Sequence, residues 1–142
     1  MVNKLLNAVT VQLYSKFGDP YKYYMETVEQ KLTKPCFTAD MIIPLQRSKS
    51  PVLYDRTMPI VIHYFTTDKK DTKADCYEKA EQIVECLEYL PFESTVLRGE
   101  NISFEIVEEV LQVFITYKFT TRLDTPIDDP MGEVVDIVNH TN

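Results

Sequence analysis

TVLRGENISFEIVEEVLQVFITYKFTTRL, running from Thr95 to Leu123, reads as one long β-hairpin. On its second arm Leu111, Val113, Ile115, Tyr117 and Phe119 share one face, while Gln112, Thr116, Lys118 and Thr120 share the other, broken only by Phe114. Period two is the signature of a half-buried strand. The first arm repeats it, with Ile102, Phe104 and Ile106 set against Asn101, Ser103 and Glu105. The arms meet at Val107-Glu108-Glu109-Val110, where a two-residue connection would fix the register. A type I′ turn there favours Asn-Gly or Asp-Gly, and positive φ is costly for two glutamates, so the pattern predicts the hairpin more firmly than its turn type.

The rest of the chain reads as what covers one face of that hairpin or extends its edge. A length of 142 residues fits one domain, burying roughly two thirds of its unfolded surface. With 44% hydrophobic and 26% charged residues, composition is ordinary for a globular protein, without repeats or low-complexity segments. We expect a single α+β domain over residues 1–123 and an extended C-terminal tail over 124–142. A net charge of -7 argues against a protein that grips nucleic acid through clustered Lys and Arg, but suits a surface past which DNA slides without sticking. Asn3, Lys4, Asn7 and Thr10 interrupt the apolar residues at the start, so neither a signal peptide nor a membrane span is expected. Three cysteines, an odd number, point to synthesis in a reducing cytoplasm. Cys76 and Cys86 lie on one expected helix, about 15 Å apart along its axis, too far to bridge.

In chain order, Leu5, Val9, Leu13 and Phe17 recur at four-residue spacing, with Leu6 beside them, predicting an amphipathic helix from Asn3 to Phe17. Gly18-Asp19-Pro20 stops it. Strands are expected at Tyr21 to Val28 and at Pro35 to Ile43, the second ended by Pro44. Pro44 to Tyr54, with two prolines, two serines, Arg47 and Lys49, reads as an exposed excursion and the most basic local patch. Asp55 to Phe65 is a strand whose second half is apolar on both faces and therefore central. Pro59 lacks a ladder donor, which implies a bulge or an unpaired edge near its start. A second helix is expected from Thr72 to Leu90, with Cys76, Ala80, Ile83, Val84 and Leu87 inward, ended by Pro91. Burial of each large aliphatic side chain contributes roughly 1.5–3 kcal/mol. The fold class is therefore α+β: a mostly antiparallel, mixed sheet with a long C-terminal hairpin and two helices packed on it.

Chemistry-bearing motifs are scarce. Glycine occurs only as Gly18, Gly99 and Gly132, so no phosphate-cradling loop exists. His63 and His140 lack the spacing of a zinc site, and no metal or other cofactor is expected. A Cys–His pair between Cys36 and His63 is the one nucleophilic arrangement to weigh, against the blander reading of Cys36 as a small buried hydrophobe and His63 as a strand residue. The carboxylate pairs Glu108-Glu109 and Asp128-Asp129 fall at a turn and in the tail, where charge is normally solvated.

Val28-Glu29-Gln30 with Leu32, Pro35-Cys36-Phe37, and Arg56-Thr57-Met58-Pro59 leading to Ile62-His63-Tyr64-Phe65 carry a resemblance. Arg98-Gly99, Glu105-Ile106-Val107 with Val110-Leu111, and Asp129-Pro130-Met131 agree in order and spacing. Together they resemble the tail terminator family of tailed phages and prophages of Gram-positive bacteria. The departure is Glu108-Glu109, where relatives are expected to carry a glycine-containing turn. The resemblance implies a structural, non-enzymatic protein of the virion tail, assembled in the bacterial cytoplasm. It would form a hexameric ring on the head-proximal end of the tail tube, stop tube polymerisation and present a docking surface to the neck connector. Partners implied are further copies of the chain, the tube protein, the connector, and the sheath protein of a contractile tail; DNA would pass through the lumen without specific binding.

Candidate interface residues are Arg47, Lys49, Arg56, Glu108, Glu109, Asp128 and Asp129. Arg47, Lys49 and Arg56 read either as a basic patch facing an acidic surface of the next subunit or tube, or as ordinary solvated charges. A ring needs a heterologous interface whose rotation closes, and the long hairpin and the Pro44 to Tyr54 excursion are elements that can reach a neighbour. The apolar residues Val134, Val135, Ile137 and Val138 of the tail are expected to dock on a partner. Two other functions compete: a neck or head–tail joining protein with the same helix-and-hairpin pattern, and a small cytosolic enzyme in which Cys36, His63 and a carboxylate converge.

Overall fold

The computed structural model describes residues 1–25, 32–67, 70–123 and 135–138. Helix α1 (Val2–Phe17) buries Leu5, Leu6, Val9 and Leu13, and helix α2 (Thr72–Leu87) buries Cys76, Ala80, Ile83 and Leu87. These are the inward positions expected from the 3.6-residue period. Beyond Leu87 the prediction fails, because Tyr89–Phe92 is strand β5 and not the last helical turn. Pro91 is tolerated there because β5 lies at the end of the strand order.

Strands β1 (Lys22–Tyr24), β2 (Cys36–Met41), β3 (Leu45–Ser48), β4 (Leu53–Phe65), β6 (Thr95–Val107), β7 (Val110–Leu123) and β8 (Val135–Val138) join β5 in a curled mixed sheet of α+β class. The order is β1-β2-β4-β7-β6-β5, with β3 beside β4 and β8 beside β7. Among the described residues only the β1–β2 pair is parallel. Of the strand expected from Tyr21 to Val28, Lys22–Tyr24 is formed, and Glu26 to Val28 lie outside the described residues. The Pro44 to Tyr54 excursion is exposed as expected, but it is a β-hairpin, with Leu45 opposite Thr57 and Ser48 opposite Tyr54. In the C-terminal segment, Val135–Val138 pairs with Thr120 to Leu123 of its own chain.

Pro59 shows how β4 combines a proline with a central position. Its pairing with β7 runs unbroken from Leu53 to Phe65, so there is no bulge on that side. On the other side β3 covers Tyr54 to Thr57 and β2 covers Ile60 to Phe65, leaving Pro59 in the gap between them. Its carbonyl accepts from Ile42 N–H at 2.9 Å across that gap. A strand residue's N–H and C=O point the same way, so the missing donor falls where no ladder bond is required.

The hairpin of β6 and β7 closes through Glu108 and Glu109 with φ of 50° and 65°, the two positive angles of a type I′ connection despite both residues being glutamates. On β7 the face Leu111, Val113, Ile115, Tyr117 and Phe119 is buried against the helices as its alternation predicts. β6 carries an extra residue between Glu100 and Ser103, with Asn101 at φ 52°. One added residue reverses which parity points inward. Leu97 and Gly99 face the core before the bulge, whereas Phe104 and Ile106 share a face with Val113 and Leu111 after it.

Candidate functional site

Exposed apolar residues gather where β2 gives way to β3. The chain leaves strand β2 at Met41, so Ile42 and Ile43 lose cross-strand cover; Ile43 is 77% exposed, and Leu45, opening β3 opposite Thr57, is 56% exposed. Along this arm Arg47 and Lys49 are also exposed. Among the described residues β3 pairs only with β4, so its outer edge offers backbone donors and acceptors to another strand.

Strand geometry divides the expected basic patch. Arg47 pairs with Asp55 and Gln46 with Arg56, and directly opposed residues share a face, so Arg47 and Arg56 lie on opposite faces. Arg56 is half-buried, and its Nε–H donates to Thr121 Oγ1 at 3.0 Å, which ties β4 to β7. Asp55 in turn accepts from Thr120 Oγ1–H at 2.7 Å. The exposed cations of the arm are therefore Arg47 and Lys49, with Arg56 serving the sheet.

A second exposed edge belongs to β6. β5 pairs with Thr95 to Arg98, and the Gly99 N–H donates to Glu88 carbonyl at 2.7 Å; beyond that, among the described residues, the outer side of β6 has no strand partner. Phe104 and Val107 are each 42% exposed, and Tyr77 of α2 meets the Phe104 ring edge-on at 6.4 Å. Glu105, Glu108 and Glu109 are exposed beside them. Asp128 and Asp129 lie outside the described residues. The candidate residues included charges of both elements, Arg47 on β3 and Glu108 and Glu109 at the tip of the β6–β7 hairpin, but not the apolar residues beside them; the Ile42-Ile43-Pro44-Leu45 run, apolar yet interrupted by proline, was the signal for the first.

The densest polar cluster is structural. Asp75 Oδ2 accepts from Tyr64 Oη–H at 2.7 Å and from Thr66 Oγ1–H at 2.8 Å, and Oδ1 accepts from Lys79 Nζ at 3.3 Å. The Lys79 ammonium also lies over the Tyr21 and Tyr64 rings, at 5.7 and 5.8 Å. Burial pushes the Asp75 carboxyl up, but the hydrogen bonds from Tyr64 and Thr66 and the Lys79 charge outweigh it and hold the group below its ordinary value. Burial likewise works against the charge of Lys79, and Tyr21 and Asp75 overcome it, raising its pKa. A carboxylate so held stays ionised and fully engaged, which suits a lock between α2 and the sheet and not a general base.

Cys36 and His63 sit on neighbouring strands and the same face, two pairing steps apart, since Cys36 opposes Phe65 and Thr38 opposes His63. His63 Nδ1 lies 3.5 Å from Asp40 Oδ2. Cys36, however, is fully buried, and burial pushes its thiol up to about 11, so it is protonated at neutral pH. An activated nucleophile needs the opposite shift. Among the described residues no group of three or more His, Cys, Asp or Glu is arranged to hold a metal ion. No described helix is long and apolar enough to cross a membrane.

In comparison with known families, the model of a family described as phage tail terminator protein aligns with residues 4–129. No curated protein matches the sequence.

Proposed function

The chain belongs to the phage tail terminator family and is thus a structural protein of the phage tail, and from this premise we propose that it caps the head-proximal end of the tail tube. In this role it stops addition of tube protein and offers the neck connector a docking surface. It acts as a closed, hexameric ring, and in a contractile tail it also meets the sheath protein. The observation that carries the reading is the pair of uncovered strand edges, β3 with Ile43 and Leu45 and β6 with Phe104 and Val107, on opposite sides of β4 and β7. Two different exposed surfaces on one subunit are what a heterologous, ring-closing contact requires. An acidic chain, at -7, suits a lumen through which DNA moves without adhering.

Negative-stain electron microscopy of particles made with and without this protein tests the reading. Termination predicts tubes of abnormal length in its absence, corrected by adding purified protein during assembly. Tails of normal length that fail to join heads would replace it with a head–tail joining role, and normal infectious particles would overturn both.

A further inference from the structure

The two uncovered edges match each other in direction, side-chain pattern and charge. β3 is antiparallel to β4, β4 to β7 and β7 to β6, so β3 and β6 run in opposite directions within one subunit. When a second copy continues the sheet with its helices on the same side, its β3 meets β6 of the first copy antiparallel. No subunit has to turn over, and the same step repeats around a ring. Leu45 and Arg47 point to the face away from the helices, opposite Thr57 and Asp55. Glu105 and Val107 share that face on β6, opposite Gln112 and Val110. An antiparallel register that sets Arg47 against Glu105 also sets Leu45 against Val107, because both pairs sum to the same register.

Charge points the same way. The β3 arm ends in Arg47 and Lys49, whereas the free part of β6 and its turn carry Glu105, Glu108 and Glu109. Each edge would repel a second copy of itself and attract the other. Leu45 and Val107, 56% and 42% exposed, would lose water together. We infer that the β3 edge of one copy of this chain adds as an antiparallel strand to the free β6 edge of the next, in the register Arg47–Glu105 and Leu45–Val107. This contact rests on the ring reading and specifies which surfaces close the ring. It is strand addition, in which main-chain hydrogen bonds supply adhesion and alternate side chains supply register.

Variants R47C and E105C, each in a C86S background that keeps only the buried Cys36 and Cys76, test it under mild oxidation. Within one subunit β4 and β7 separate β3 from β6, three strand spacings or roughly 14 Å, beyond the reach of a disulfide. The R47C/E105C double variant should therefore give a ladder of covalent multimers, and a mixture of the single variants should give heterodimers alone. Each charge reversal, R47E or E105R, should raise the concentration needed for half-assembly about tenfold, and the R47E/E105R swap should restore it. Native mass spectrometry, alone and on tail tubes, counts the copies independently. A ring that forms without cross-linking at these positions overturns the contact and leaves the ring standing. A chain that stays monomeric in solution and on tubes overturns both.

Discussion

Replacing Asp75 by alanine should be among the most damaging changes outside the apolar core. Tyr64 is only 2% exposed and directs its hydroxyl at Asp75 Oδ2, while the Lys79 side chain, 12% exposed, reaches Oδ1. Removing the carboxylate takes the acceptor from a buried hydroxyl, costing about 1–3 kcal/mol. It also takes the counter-charge from a largely buried ammonium, a loss of about 3–5 kcal/mol for a fully buried pair. Partial solvent access to Asp75, 20% exposed, lowers the second figure, and we expect a total of about 3 kcal/mol at pH 7 by urea denaturation. A cycle of Y64F and D75A should return a coupling of about 1–2 kcal/mol. The folded carboxyl is held below its ordinary value. Its contribution is therefore complete above the unfolded pKa of about 3.9 and is lost as pH falls through the lower folded value. The gap between wild type and D75A should narrow in that acid window. A cost under about 1 kcal/mol at pH 7, or strictly additive single variants, would refute the lock between α2 and the sheet.

Two further substitutions probe the hairpin. At the tip, E108N/E109G should raise stability by about 1 kcal/mol, because both glutamates hold positive φ that Asn and Gly adopt more cheaply; an unchanged urea midpoint would argue against the type I′ geometry. At Gly99, an added Cβ would fall 2.7 Å from Ile115 Cγ1 in the core and 3.4 Å from the Leu87 carbonyl oxygen. G99A should therefore cost about 1–3 kcal/mol by thermal unfolding, with I115V recovering part of it; full stability of G99A would show that β6 shifts freely at this crossing.

Periodicity made the helices and the hairpin arms readable because each buries one face against a neighbour, and a one-sided burial leaves its repeat in the chain. Leu5, Val9 and Leu13 on α1 and Leu111 to Phe119 on β7 are where that repeat predicted burial. Short edge elements carry no such repeat. Tyr89–Phe92 sits directly after a helix and contains Pro91, so its local signals say helix end, yet the pairing of Leu90 with Leu97 makes it a strand. Leu45–Ser48 is exposed throughout and is a strand only because β4 lies beside it. The exposure of the basic arm was legible in the sequence, but the faces its charges occupy were not. Arg47 and Lys49 are on an exposed arm as expected, while Arg56 turns to Thr121 because its register places it on the other face.

Local chemistry in the chain was enough for the α+β class, the positions of both helices, the long hairpin and the likeness to tail terminators, since all of these depend on residue order over short spans. The tertiary structure alone decided which edges are left uncovered, which side of the sheet each charge occupies, and that the Asp75 carboxylate is a half-buried lock. Those properties depend on register between strands distant in sequence. A register is set by the packing of the whole sheet, where moving one strand by a single residue sends every side chain on it to the other face.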